Sequence, residues 1–104
     1  MRQFHHVGIP TIRQRPNEIY LEGIKLYITD AGAHPYHVEW VRVAPGCTLP
    51  SLLHSAPHVA FMVDDLAAEM QGKRILVPPF VPLPGLRVAF ILEDDAAIEL
   101  MQKI

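Results

Sequence analysis

The sequence predicts a small α+β protein of two similar halves, with far more strand than helix. Three observations lead there. Ten prolines in 104 residues leave little room for helix. Short apolar runs bounded by Gly, Pro and Asp recur along the chain, as strands require. And the opening stretch FHHVGIP is answered by PHVAFMV near the middle, each placing a histidine ahead of an apolar run.

The elements follow in order. Phe4–Ile9 reads as the first strand. Between Pro10 and Glu22, Pro16 forbids a long helix, and Ile19-Tyr20-Leu21 supplies an edge strand. Ile24–Thr29 and Tyr36–Val43 are two further strands with a turn around Gly32 and Pro35. Pro45, Pro50 and Pro57 then mark a linker. The second half opens with the strand His58–Val63. Asp64-Asp65 offers an N-cap, Leu66 and Met70 share one helical face, and Gly72 stands where a left-handed C-cap belongs. Arg74–Val77 is a short strand halted by the prolines at 78, 79, 82 and 84, which form a restricted loop. Leu86–Leu92 and Ala97–Gln102 complete the half through a turn at Glu93-Asp94-Asp95. The chain is thus one domain, 1–104, with a first module over 1–46, a linker over 47–56 and a second module over 57–104.

Composition narrows the function. Half of the residues are hydrophobic, the net charge is −2 and the nine basic residues are scattered, so no stripe suits nucleic acid. No apolar run approaches the ~18 residues of a membrane span. The N-terminus lacks a signal-peptide core, and one cysteine, Cys47, permits no internal disulfide. A cytoplasmic protein is expected. Cys47 has no neighbouring base or helix N-terminus to activate it and reads as a loop thiol.

Strand parity picks out four side chains. Val59, Phe61 and Val63 form the bulky face that should meet the helix, leaving His58, Ala60 and Met62 on the other. In the first strand His6, Gly8 and Pro10 correspond to that second face, while His5 falls with Val7 and Ile9 on the opposite one. Glu39, in Val-Glu-Trp, and Glu99, in Ile-Glu-Leu, repeat the pattern on the last strand of each half. A carboxylate among apolar neighbours is costly to bury unless paired or ligated. Taken singly, a strand histidine is usually structural and a strand glutamate usually solvated. As a quartet related by a pseudo-two-fold, His6, Glu39, His58 and Glu99 make a two-His, two-carboxylate set suited to a divalent ion such as Zn, Ni, Co, Mn or Fe. His34, His37 and His54 read as surface residues, although His37 shares parity with Glu39 and could line the same cup. The Asp64-Asp65 and Glu93–Asp95 clusters read as a cap and a turn.

These residues resemble the vicinal oxygen chelate superfamily, which includes glyoxalase I, methylmalonyl-CoA epimerase, extradiol dioxygenases and bleomycin-resistance proteins. HVAFMVDDL, GLRVAFILEDD and AIELMQ look like its histidine strand, penultimate strand and glutamate strand, and HHVGIP like its opening strand. The resemblance implies paired βαβββ modules curved into a cup around the metal. It also implies His6, Glu39, His58 and Glu99 as ligands, with Glu39 or Glu99 as the catalytic base. The interval from His6 to Glu39 is shorter than that from His58 to Glu99, so the first module should be truncated and helix-poor. One wall of the cup would then stand open, which favours a homodimer.

The expected function is a metal-dependent isomerase or lyase that moves a proton next to a carbonyl of a small substrate with vicinal oxygens. An extradiol-type dioxygenase would use only one carboxylate with its two histidines. The rival from another class is a metal-free binding or resistance module on the same fold. The proline-rich stretch Pro78–Pro84 is expected to serve as a wall, a lid or a plain rigid connection.

Overall fold

The computed structural model describes residues 1–104. In chain order the elements are β1 (Gln3–Pro10), β2 (Ile19–Leu21), β3 (Leu26–Ile28), β4 (Val38–Val43), α1 (Ser51–Ser55), β5 (His58–Met62), α2 (Leu66–Met70), β6 (Arg74–Leu83), β7 (Leu86–Glu93) and β8 (Ala96–Lys103). The eight strands form one curled mixed sheet in the order β2-β3-β4-β1-β5-β8-β7-β6, a half-barrel cup.

The order reads the same outward from its centre. In the first half β1 pairs in parallel with β4, and in the second β5 pairs in parallel with β8. Antiparallel pairing of β1 with β5 joins the halves, with Val7 opposite Val59, His6 opposite Ala60 and Gly8 opposite His58. The pseudo-two-fold axis therefore passes between Val7 and Val59. Gly8 is also the partner of Glu39, and Ala60 the partner of Glu99. In each half the glutamate thus stands beside the residue two past the histidine.

The two faces of the sheet carry different chemistry. On the convex side of the second module Val63, Leu66, Ala89, Ile91 and Leu100 pack together with Phe61 and Met70. Helix α2 is the lid of this layer. Ala68 N–H donates to the N-cap Asp65 at 3.2 Å, and Gly72 follows the helix at φ +74°. The first module has no helix between β1 and β2. Its outer face is closed instead by Arg15 over the Trp40 ring at 3.9 Å and by the two-pronged Arg42–Glu18 pair at 2.9 and 2.7 Å. Arg42 also stacks on Tyr27. The concave side holds the larger core, including Leu26, Val41, Leu53, Val88 and Met101.

Three differences from the sequence reading have physical causes. Strand β6 runs on to Leu83 instead of stopping at the prolines. It is the last strand of the sheet, so its outer side needs no N–H donors, and its register against β7 shifts repeatedly to accommodate the prolines. The linker contains helix α1, whose Leu53 is buried in the concave core. Strands β3 and β4 are shorter than expected, because Lys25 and His37 just before them adopt φ of 55° and 56°. The turn at Asp94-Asp95 is a two-residue hairpin with both φ values positive, 49° and 66°, which matches the twist of β7 and β8. No helix is long and apolar enough to cross a membrane.

Candidate functional site

All eight strands contribute side chains to one cavity of about 260 Å³ on the concave side. Its walls alternate along each strand, as with Leu86, Val88 and Phe90 on β7 and Glu99 and Met101 on β8. Leu49 and Leu53, at α1, reach it from the segment between the halves. The proline-bearing stretch of β6 supplies Phe80, Pro82 and Leu83 as a wall.

The four expected side chains meet at the floor. One ligand atom from each of His6, Glu39, His58 and Glu99 lies within 4.8 Å of the other three. All four come from one chain, two from each half. His58 Nε2–H donates to Glu99 Oε1 at 2.9 Å. His6 Nε2 stands 3.3 Å from the same oxygen and 3.5 Å from Glu39 Oε1, without the alignment of a hydrogen bond to either. It is a fully buried nitrogen with no partner. The His58 ring lies edge-on to Phe90 at 5.3 Å between centroids and covers the backbone of Gly8.

His5, expected on the opposite face, lies on the cavity side. The register explains the change. Phe4 pairs with Phe61 and His6 with Ala60, so His5 is an extra residue in a β-bulge. A bulge turns its extra side chain out of the alternation. His5 Nδ1 is 2.8 Å from His6 Nδ1, so one ring donates to the other. The only signal in the sequence is the doubled histidine itself. His37 does not join the cup. Its positive φ breaks the parity with Glu39, and its exposed ring packs edge-on against Phe4. His34 accepts a hydrogen bond from Tyr36 N–H, and His54 donates to Leu49 O at 2.7 Å. Cys47 is a half-buried loop thiol.

The electrostatics separate the two carboxylates. Burial, with the negative charge of Glu99 beside it, pushes the Glu39 carboxyl up to about 8. Burial would raise Glu99 as well, but His58 and His6 outweigh it and hold that carboxyl well below its usual range. His6 loses solvation, yet the adjoining carboxylates raise it above an ordinary imidazole, whereas burial and the neighbouring His6 lower His5. One carboxylate is therefore anchored and ionised, and the other is under pressure to hold a proton.

The donor set fits a divalent ion. Two imidazoles and two carboxylates can neutralise a dication, and the partnerless Nε2 of His6 is a donor atom already desolvated and turned into the cluster. A ligating imidazole generally uses its second nitrogen to donate to an outer group, and His5 stands in that position for His6.

A small α+β protein with a half-barrel cup and a buried His/Glu cluster at its floor is the class that fold and site define together. A scan against family models and a search of curated proteins both find no match. Among solved structures, the crystal structure of hypothetical protein BH1468 from Bacillus halodurans C-125 is similar in fold, with a TM-score of 0.72 over 99% of this chain and 95% of that one, at 13% identity.

Proposed function

We propose that the protein is a metal-dependent isomerase or lyase of the vicinal oxygen chelate type, acting by proton transfer next to a carbonyl. The observation that carries the reading is the convergence of two histidines and two glutamates, in equivalent positions of two halves, at the floor of a cavity. The similar fold of BH1468 is compatible with it. His6, Glu39, His58 and Glu99 are the ligands. When bound, a divalent ion supplies a Lewis acid that stabilises the negative charge developing on a substrate carbonyl oxygen.

The residues divide the remaining work. Glu99 accepts the His58 hydrogen bond in the metal-free protein and is held ionised there, and it is the anchoring ligand. Glu39 makes no side-chain hydrogen bond, lies at the cavity surface and is the less firmly held carboxylate. It is the group we assign to take the proton from the carbon beside the carbonyl and return it. The apolar walls limit the access of bulk water to that carboxyl.

The competing reading is a metal-free binding module. It gains support from the direct His58–Glu99 hydrogen bond, which pairs one nitrogen of His58 with one oxygen of Glu99 without an ion. Elemental analysis of wild type beside His58→Ala decides between them. About one equivalent of Zn, Ni, Co, Mn or Fe in the wild type, lost in the variant, supports the enzyme reading. Exchange of an α-proton for deuterium in small 2-oxo acids or hemithioacetals would then follow by NMR. A wild type that takes up no ion after incubation with each metal supports the binding module.

A further inference from the structure

We infer that the cup takes a small molecule with two neighbouring oxygens at one end and an uncharged, apolar tail at the other, tail outward from the His/Glu floor. The inference rests on the metal reading for the head of the ligand and on the cavity walls alone for its tail.

The walls are almost wholly hydrocarbon. Val41, Met62, Phe80, Leu83, Val88 and Met101 represent five strands of the lining, and neither lysine nor arginine is among the lining residues. Away from the floor the polar groups are Thr29 and Asp30, and both are engaged. Thr29 Oγ1 accepts from Trp40 N–H at 2.9 Å, and Asp30 Oδ1 accepts from Gly32 N–H at 2.8 Å. That leaves a hydroxyl hydrogen on Thr29 and the second oxygen of Asp30, and no cationic donor. An anionic tail would meet hydrocarbon and three carboxyls, those of Asp30, Glu39 and Glu99, with no cation in reply. Size narrows the class further. At about 260 Å³ the cavity falls just below the ~300 Å³ where drug-sized sites begin. The bulk of a nucleotide-bearing thioester or a tripeptide conjugate would have to lie outside it. A compact keto or hydroxy compound with an aliphatic or aromatic substituent does.

Hydroxamic acids test the inference because each presents two vicinal oxygens on a tail of chosen chemistry. The full chain loaded with Co(II) is titrated with acetohydroxamate, hexanohydroxamate and adipic monohydroxamate, following the cobalt absorption bands. Affinity is expected to rise about fourfold per buried methylene, roughly 250-fold from acetohydroxamate to hexanohydroxamate. The carboxylate-tipped adipic compound should fall back to the acetohydroxamate level. Leu83→Lys, at the exposed rim, should raise adipic monohydroxamate at least tenfold. Equal affinity for all three probes on cobalt-loaded protein would overturn the tail inference and leave the metal reading standing. If no cobalt binds, the metal reading falls, and the tail is tested on metal-free protein with ethanol and 1-hexanol by amide chemical shifts. Saturable shifts at Val88 and Met101 with hexanol alone keep the apolar cup; none with either alcohol overturns it.

Discussion

Gly8 and His58 face each other across the β1–β5 seam, and the imidazole of His58 occupies the space that a β-carbon on residue 8 would need. The equivalent position in the other half is Ala60, which does carry a β-carbon, so the two histidines are not interchangeable. His58 lies down on bare backbone, while His6 is held by its neighbour His5.

Gly8→Ala should therefore expel the His58 ring from its place between Gly8 and Phe90. The new methyl meets the ring itself, not a flexible chain end, so strain of ~1–3 kcal/mol is expected. Metal affinity should fall steeply, while far-UV circular dichroism stays near wild type. Isothermal calorimetry beside thermal unfolding separates the two effects.

His5→Phe keeps an aromatic ring in the bulge but removes the nitrogen that meets His6. If His5 orients that ring, metal affinity should drop about 10- to 100-fold with little change in melting temperature. His5→Gln, which retains a hydrogen-bonding group, should recover part of the loss. Equal affinity in all three proteins would show that His6 needs no outer partner.

The raised Glu39 carboxyl makes metal uptake proton-linked. At neutral pH it holds a proton in the metal-free protein, and ligation must release it. Calorimetry in two buffers of different ionisation enthalpy should give one proton or more released per ion at pH 7, falling toward none as pH rises past about 8. The release should shrink in Glu39→Gln to the part contributed by His6, whose imidazole is also raised.

The same groups set the stability of the metal-free protein, with opposite signs. Glu39 binds its proton more tightly folded than unfolded, so its contribution is present below the ordinary carboxylate range and is lost as pH rises through about 8. Glu99 is depressed by His58 and His6, so its contribution is present above the ordinary range and is lost as pH falls below it. Thermal unfolding of metal-free protein should show a decline on both sides. Glu39→Gln should flatten the alkaline limb, and Glu99→Gln the acid limb together with part of the alkaline one, since the Glu99 charge helps raise Glu39.

Asp65→Ala tests the fold apart from the site. It removes the N-cap of α2, worth about 1 kcal/mol, and should lower the melting temperature without altering metal affinity. A change in metal affinity would mean that the convex layer positions Glu99 through Ile98 and Leu100.

Much of this arrangement is legible in the sequence, for identifiable reasons. The alternation in His58–Val63 and Ala97–Gln102 has one bulky face in each strand, so parity alone orients His58 and Glu99. Asp65 and Gly72 bracket α2 with residues that few other positions favour. His5 is not legible, because a bulge depends on pairing between strands far apart in sequence. Strand β6 is not legible either, since prolines stop an interior strand but not an edge strand, and edge position is a property of the finished sheet. Short α1 is hidden by the prolines around it.

The seam between β1 and β5 has a mechanical consequence. Each half brings one histidine and one glutamate, and the four donors straddle the line along which the halves would separate. An ion held there would rivet the halves together. Prising the modules apart would have to empty the cluster first, and filling it would draw them shut. The stretch over 47–56, whose Leu49 and Leu53 pack into the cup, would then be a second link between two parts that their shared cargo already holds in register.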